Sequence, residues 1–446
     1  MGIWLEIFSD IVSHDVMLLW LIVFLTSLGI FFTKQLRIYD ISFPISLCDP
    51  VILSVIFSEL TAAIVPLFMY LSGWMYNENF FTSYLLTESA LFIGIFLMKG
   101  KRNISSRQIC VDESPDISVY LRRKAYIVVM IFYLSIKCMY FFSVGIPLFS
   151  ESYYTTLMSQ SPFLSRLNIS FYLIVCMLWV DSFSYIKSKW NYAVGILILG
   201  SFILSNQKGL ISYFLYAFFF IELYKLKRNK STVSISKKTI LLSSILIFSV
   251  VMIQLVVQSL QHNDWDPLLL LVIRVMGNGD SFPFFYGLRQ TEGILQDHTG
   301  AFEFILANLS VFKIDFGYNS SYIPNNELAA IFSSTGSEFV SPLIRHNIIG
   351  VKIFGMYSSF FYSLIIGLMI GFVSRYLYRR MTNVNFFLYI IYCDIYMGIT
   401  RCIANYILFA YFDPVLINGL LLLVIYIIFY NSHTTVDSSK SEENKI

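Results

Sequence analysis

Residues 259–290 read SLQHNDWDPLLLLVIRVMGNGDSFPFFYGLRQ, the start of a polar interval that continues to His346. It carries Arg274, Arg289 and Arg345, the histidines His262, His298 and His346, and nine Asp or Glu side chains. On both sides of it the chain is one apolar segment after another. The 446 residues are 57% hydrophobic and 13% charged, with a mean hydropathy of +0.69. Soluble domains carry about 25% charged residues, so this composition excludes an ordinary soluble domain. Solid apolar runs of about 20 residues indicate membrane helices. A transmembrane barrel would show alternating ten-residue segments instead.

The expectation is an all-α, polytopic helical membrane protein. It has about 11 transmembrane helices and one long external loop containing short amphipathic helices. The apolar spans fall at 15–33, 51–71, 80–98, 125–145, 167–186, 191–205, 209–224, 239–258, 347–374, 384–402 and 413–430. Eight spans thus occupy 1–258, the loop 259–346, three further spans 347–430, and a Ser-, Lys- and Glu-rich tail 431–446 that reads as disordered. No cleavable signal peptide is expected, because Glu6, Asp10 and Asp15 stand where a basic region belongs. The six scattered cysteines give neither a disulfide framework nor metal-ligand spacing.

Lysine and arginine set the orientation. With connections numbered alternately, one set holds 22 of the 31 basic residues, among them Lys99–Lys124, Lys225–Lys238 and Arg375–Arg380. The other holds Arg166, Lys208, Arg274, Arg289, Lys313, Arg345 and Arg401. The positive-inside rule puts the N-terminus and the 259–346 interval outside and the C-terminus inside.

Glu59, Glu88, Lys137, Asp181 and Asp394 lie within apolar spans. Each costs at least about 2.5–3.5 kcal/mol at the bilayer centre and must face protein, water or another charge. Lys137 with Glu59 or Glu88 is a plausible pair. Asp181, near the cytoplasmic edge, can snorkel.

On the outside, Lys208 sits in the tight turn Ser205-Asn206-Gln207-Lys208-Gly209, before a helix N-terminus of the kind that attracts anions. An ordinary interfacial lysine is the plain alternative. Pro267–Met276 is too short to cross and reads as an interfacial or re-entrant helix bearing Arg274. The polar turn Gly277-Asn278-Gly279-Asp280 leads to Arg289, and Ala301–Phe316 reads as an amphipathic helix on the surface. Arg345 at the mouth of the ninth span can anchor a headgroup. Arginine's planar fork matches two phosphate oxygens. The loop is acidic overall, so its arginines read as selected contacts rather than an anion funnel. His262, His298 and His346 lack metal spacing and read as surface histidines.

This pattern resembles the Wzy-type O-antigen and oligosaccharide repeat-unit polymerases. The likeness is one of topology over most of the chain. It is joined by Leu204-Ser-Asn-Gln-Lys-Gly209, Val272-Ile-Arg-Val-Met-Gly277, the Arg289–Gly300 spacing and a ninth span containing Gly350, Gly355, Gly367 and Gly371. Arg345-His346-Asn347 is similar to the external His-Asn of the related ligases.

The resemblance implies glycosyl transfer outside the bacterial inner membrane. A hydroxyl of one repeat unit, linked to undecaprenyl diphosphate, would attack the anomeric carbon of a growing glycan on another. Cations would hold the departing diphosphate, and a base would take the hydroxyl proton. Arg274 and Arg289 are the candidates for diphosphate, Lys208 and Arg345 for further phosphate or headgroup contact, and Asp280 or His346 for the base. The reading needs no metal and no cofactor. It involves membrane lipid and a chain-length regulator as partners, and no nucleic acid. A lipid-linked oligosaccharide flippase or other secondary transporter, and an O-antigen ligase, are the alternative readings.

Overall fold

A computed structural model describes residues 47–99, 115–149, 162–186, 189–205, 211–227, 277–289, 292–296, 300–310, 324, 327–328, 331, 343–380, 385–406 and 412–443. Within these residues the chain is helical and shows no strand. Five helices are long and apolar enough to cross a membrane: Val51–Leu71, Asn79–Met98, Val119–Ser143, Phe360–Leu377 and Phe386–Ala404. Leu167–Ser182, Trp190–Leu204 and Pro414–Phe429 are shorter apolar helices. The expected spans at 15–33 and 239–258 lie outside the described residues.

The first of these spans opens as a π-helix, Val51–Phe57, and tightens into α1, Ser58–Leu71. The change of winding falls immediately before Glu59, and π-turns of this kind occur often at functional positions. Pro66 lies inside α1. It offers no N–H to the Ala62 carbonyl four residues back. The 3-10 turn Gly277–Gly279 packs there, and a Cβ on Gly279 would come within 2.8 Å of that same carbonyl.

Helix α2, Asn79–Lys99, pairs with α12, Phe360–Arg380, along its whole length. Glycines make the approach. A Cβ on Gly94 would strike the Leu364 carbonyl, one on Gly367 the Leu91 carbonyl, and one on Gly371 the Ile95 carbonyl. Between apolar helices in lipid, association rests on this kind of close backbone packing. Gly371→Leu is therefore expected to destabilise the protein by about 1–3 kcal/mol or more through overpacking. A melting temperature of the purified protein equal to wild type would contradict this.

Helices α3 (Pro115–Val144), α4 (Pro162–Ser170), α5 (Tyr172–Ser182), α6 (Trp190–Leu204) and α7 (Ile211–Lys227) follow in the chain. Among them α5 packs against α3 and α7. α13 (Phe386–Thr400) lies against α12 and α14 (Asp413–Glu443). Their shared core is rich in buried tyrosine and phenylalanine, among them Tyr133, Tyr172, Phe219, Tyr224, Tyr389 and Tyr396. The reading of the tail as disordered differs from the structure, in which α14 runs on to Glu443. Extending a helix already formed needs no new nucleus.

The in-span charges are satisfied differently from the expectation. Asp181 does not snorkel: it is buried and lies 3.6 Å from the Arg122 guanidinium, which stacks on the Phe386 ring. Asp394 accepts from Asn418 Nδ2 at 2.9 Å. Lys137 pairs with neither Glu59 nor Glu88. Its ammonium donates to Ser205 Oγ at 2.7 Å and to the Tyr172 hydroxyl at 3.2 Å. Hydroxyls and ring faces solvate a buried cation where carboxylates are out of reach.

The expected ninth span, 347–374, is not one helix. It is divided into α11, His346–Phe354, and α12 by the stretch Gly355–Ser359. Gly355 turns the chain at φ +80°, a conformation that costs glycine nothing. The direction of α11 follows from its contacts with α2. Its first turn meets Thr87 and Glu88, whereas Met356 and Ser359 meet Ser83. So α11 rises toward the N-terminal end of α2, and α12 then descends beside α2 in parallel. α11 is a re-entrant half-helix whose N-terminus lies deep in the bundle.

Candidate functional site

At that buried N-terminus the two halves of the chain meet. Arg345, His346, Asn347, Glu59 and Glu88 are all fully buried. The depth follows from helix geometry. Glu59 lies twelve residues before the end of α1, about 18 Å at 1.5 Å per residue, and Glu88 about 13 Å from the start of α2. Both positions fall near the middle of a core about 30 Å thick.

Arg345 forms an ion pair through Nη2 with Glu59 Oε1. Its Nη1 donates to the Asn278 carbonyl at 2.8 Å and to Ser58 Oγ at 3.3 Å. His346 Nε2 lies 3.6 Å from Glu59 Oε1 and 3.5 Å from Glu88 Oε1. Its Nδ1 is 2.7 Å from Ser363 Oγ on α12, which fixes the ring. Asn347 Nδ2 donates to Thr87 Oγ1 at 2.8 Å and to Glu88 Oε1 at 3.0 Å. The N-terminus of α11 adds the partial positive charge of its peptide dipoles beside these carboxylates.

The 277–287 segment roofs the cluster. Asn278 Nδ2 donates to Thr61 Oγ1 at 2.7 Å, at the depth of Glu59. α8, Ser281–Gly287, then climbs outward, and the Tyr286 carbonyl accepts from Tyr76 N at 2.9 Å. Phe282 and Tyr286 pack on Tyr84 and Phe80. The 259–346 interval is therefore not a single external layer, since two of its described pieces descend between the spans. Irregular backbone at such depth is tolerated only inside protein or along a cavity. The α9 helix, Glu292–Gln296, and α10, Gly300–Ser310, follow in the interval. The latter accounts for part of the amphipathic helix expected at Ala301–Phe316. It exposes Phe302 and Ile305 while Asn308 donates to the Tyr406 carbonyl at 3.4 Å.

The other candidates fall in different places. Arg345 is not a headgroup anchor; Glu59 and Asn278 hold it away from the surface. His346 is not a surface histidine; α1, α2 and α12 enclose it. Asp280 accepts from Leu343 N at 3.0 Å and so ties the two descending pieces together. Arg289 is exposed, with its guanidinium 5.9 Å from the centre of the Tyr76 ring, beyond the C-terminal end of α1. Arg274 and Lys208 lie outside the described residues, as do His262, His298 and Pro267–Met276. The sequence reading singled out Glu59 and Glu88 but not their partners, and it gave Asn278, Asn347, Thr87 and Ser363 no role. The signal was there in charge balance: two carboxylates in apolar spans require cations, and Arg345-His346 is a basic pair directly before an apolar run.

Chemically the cluster offers two carboxylates, an imidazole and a guanidinium at one point. The nearest carboxylate and imidazole atoms of Glu59, Glu88 and His346 lie within 4.8 Å of one another. Comparison of the chain with protein-family models, with curated proteins and with solved structures gives no match.

Proposed function

We propose that the protein is a membrane-embedded glycosyltransferase of the Wzy-type class. It would join oligosaccharide repeat units carried on undecaprenyl diphosphate into a surface polysaccharide, on the periplasmic side of the bacterial inner membrane. In this reading the chain has about eleven spans, with its N-terminus periplasmic and its C-terminus cytoplasmic. The observation that carries it is the union of Arg345-His346-Asn347, from the end of the long polar interval, with Glu59 and Glu88. An acid–base group and a cation then stand together under a roof made by the same interval.

His346 is the base for the acceptor hydroxyl, with Ser363 setting its ring and Glu88 stabilising the imidazolium that forms. The outer arginines Arg274 and Arg289, with Lys208, take the diphosphate, whose charge grows as the glycosidic bond breaks. Because the cluster is buried and Arg289 stands beside Tyr76, about 18 Å away along α1, the 277–289 segment must rearrange so that the sugar enters and the base and the diphosphate contacts meet at one anomeric carbon. Membrane lipid and a chain-length regulator are the expected partners.

The test is the lipopolysaccharide ladder of a deletion strain. A polymerase mutant leaves core plus one repeat unit; bare core would refute the reading. Arg289→Ala is expected to reduce polymer yield about tenfold to a hundredfold, the loss of one charge-assisted phosphate contact. Unchanged chain length and yield would remove Arg289 from the diphosphate site.

One observation favours a second reading, a lipid-linked oligosaccharide flippase or secondary transporter. Half-helix termini and charges near the bilayer midplane are features of transporters, and α11 begins at Glu59 and Glu88. A flippase mutant leaves bare core, and so does a ligase mutant.

A further inference from the structure

We propose that Glu59, Glu88 and His346 form a binding site for a divalent transition-metal ion, of which Zn²⁺ is the best fit. The argument begins with the imidazole. Nδ1 is engaged by Ser363 Oγ at 2.7 Å, so Nε2 is the free ring atom. It faces Glu59 Oε1 at 3.6 Å and Glu88 Oε1 at 3.5 Å. These separations are too long for direct hydrogen bonds. These two separations are close to the edge of a zinc tetrahedron, about 3.4 Å for bonds of about 2.0–2.2 Å, and one ligand atom from each of the three residues lies within 4.8 Å of the others.

The orientation is also the one metal sites use. A ligating histidine commonly bonds its second ring nitrogen to a neighbour, which fixes tautomer and direction. Asn347 Nδ2 on Glu88 Oε1 and the Arg345 guanidinium on Glu59 Oε1 are the outer contacts that hold the carboxylates.

A second observation points to a ligand. Glu88 Oε2 and the Tyr84 and Tyr286 hydroxyls are buried and have no hydrogen-bond partner among the described residues. Both tyrosines lie within electrostatic reach of Glu88. Buried polar atoms left unpaired are costly, and an unpaired carboxylate oxygen on a proposed ligand calls for a partner.

Charge constrains the guest further. Two carboxylates against Arg345 leave one negative charge when His346 is neutral. A divalent ion brings the total to one positive charge, which selects an anionic fourth ligand, a hydroxide or a phosphate oxygen. Three protein ligands and an open fourth position are the arrangement of a reactive rather than a closed zinc site. The site does not use the diphosphate contacts proposed above, but it takes the Nε2 lone pair that the base role needs, so a zinc-loaded chain does not use His346 as the base.

The experiment uses the full chain purified in lipid nanodiscs, equilibrated with Zn²⁺ at pH 8 and freed of loose metal, with zinc then measured per chain. Wild type is expected to retain about one equivalent, the capacity of a single site. Glu88→Gln and His346→Ala are expected to lose it, while Asp394→Asn, a buried carboxylate elsewhere, keeps it. Co²⁺ substitution is expected to give a visible ligand-field band without a thiolate charge-transfer band. Wild-type protein holding no more zinc than Glu88→Gln overturns the proposal. A thiolate band overturns it as well, by assigning the metal to cysteine. The readout is metal content, which leaves the diphosphate contacts untouched; one equivalent of zinc in the wild type would make His346 a ligand in place of a free base, whereas the polymer ladder of the deletion strain tests polymerisation separately.

Discussion

Arg345→Met is expected to cost about 3–5 kcal/mol of stability, because it leaves the Glu59 carboxylate buried without its counter-ion. Both partners are fully enclosed, so water cannot take over the lost contact. The Asn278 carbonyl and Ser58 Oγ lose their donor in the same step. The substitution thus also loosens the roof, since Asn278 ties the 277–287 segment to Thr61 on α1. Glu59→Gln in the same chain removes the orphaned charge and is expected to restore much of the loss, because a neutral pair of similar volume avoids the desolvation cost. The check is a double-mutant cycle on the melting temperature in detergent. Additive effects of the two substitutions would mean that the ion pair contributes nothing to the fold. A destabilised single mutant with a recovered double mutant would fix the coupling at this pair.

Much of the architecture is legible in the sequence because apolar length is a local property. The spans expected at 51–71, 80–98 and 384–402 coincide with helices to within a few residues, since twenty apolar residues in lipid must satisfy their backbone internally. What was not legible depends on where helices meet. The break inside 347–374 is written in one residue, Gly355, and a glycine there reads equally well as a packing position, which is what Gly367 and Gly371 are.

The candidate site was half legible. Residue type and span position marked Glu59 and Glu88 as charges needing partners. Pairing is a property of three-dimensional neighbours, and sequence proximity gave Lys137 no more claim than Arg345. The fold decides through α11. A re-entrant segment carries Arg345 and His346 from the end of the long polar interval to the depth of Glu88. Lys137, on α3, faces Ser205 and Tyr172 instead.

His346→Gln is expected to abolish polymer while leaving the protein folded. Glutamine keeps a polar side chain of similar reach that can still bond Ser363 or Asn347's neighbours, so the cluster loses its titrating group and little volume. Positioned general bases contribute about 10²–10⁴-fold to rate, and a loss of that size reduces the ladder to core plus a single repeat. A purely structural role for His346 predicts something else: a fall in protein level and melting temperature matched by a proportional fall in polymer. The two are separated by measuring membrane content and thermal stability of the variant beside its ladder. Full-length polymer from a stable His346→Gln protein would exclude His346 as the base and move the search to groups nearer the outer surface, where Arg289 lies. A stable protein that makes no polymer, paired with an Asn347→Ala variant that makes shortened polymer, would show that the imidazole is required for the reaction and that its neighbour on α11 sets Glu88 beside it.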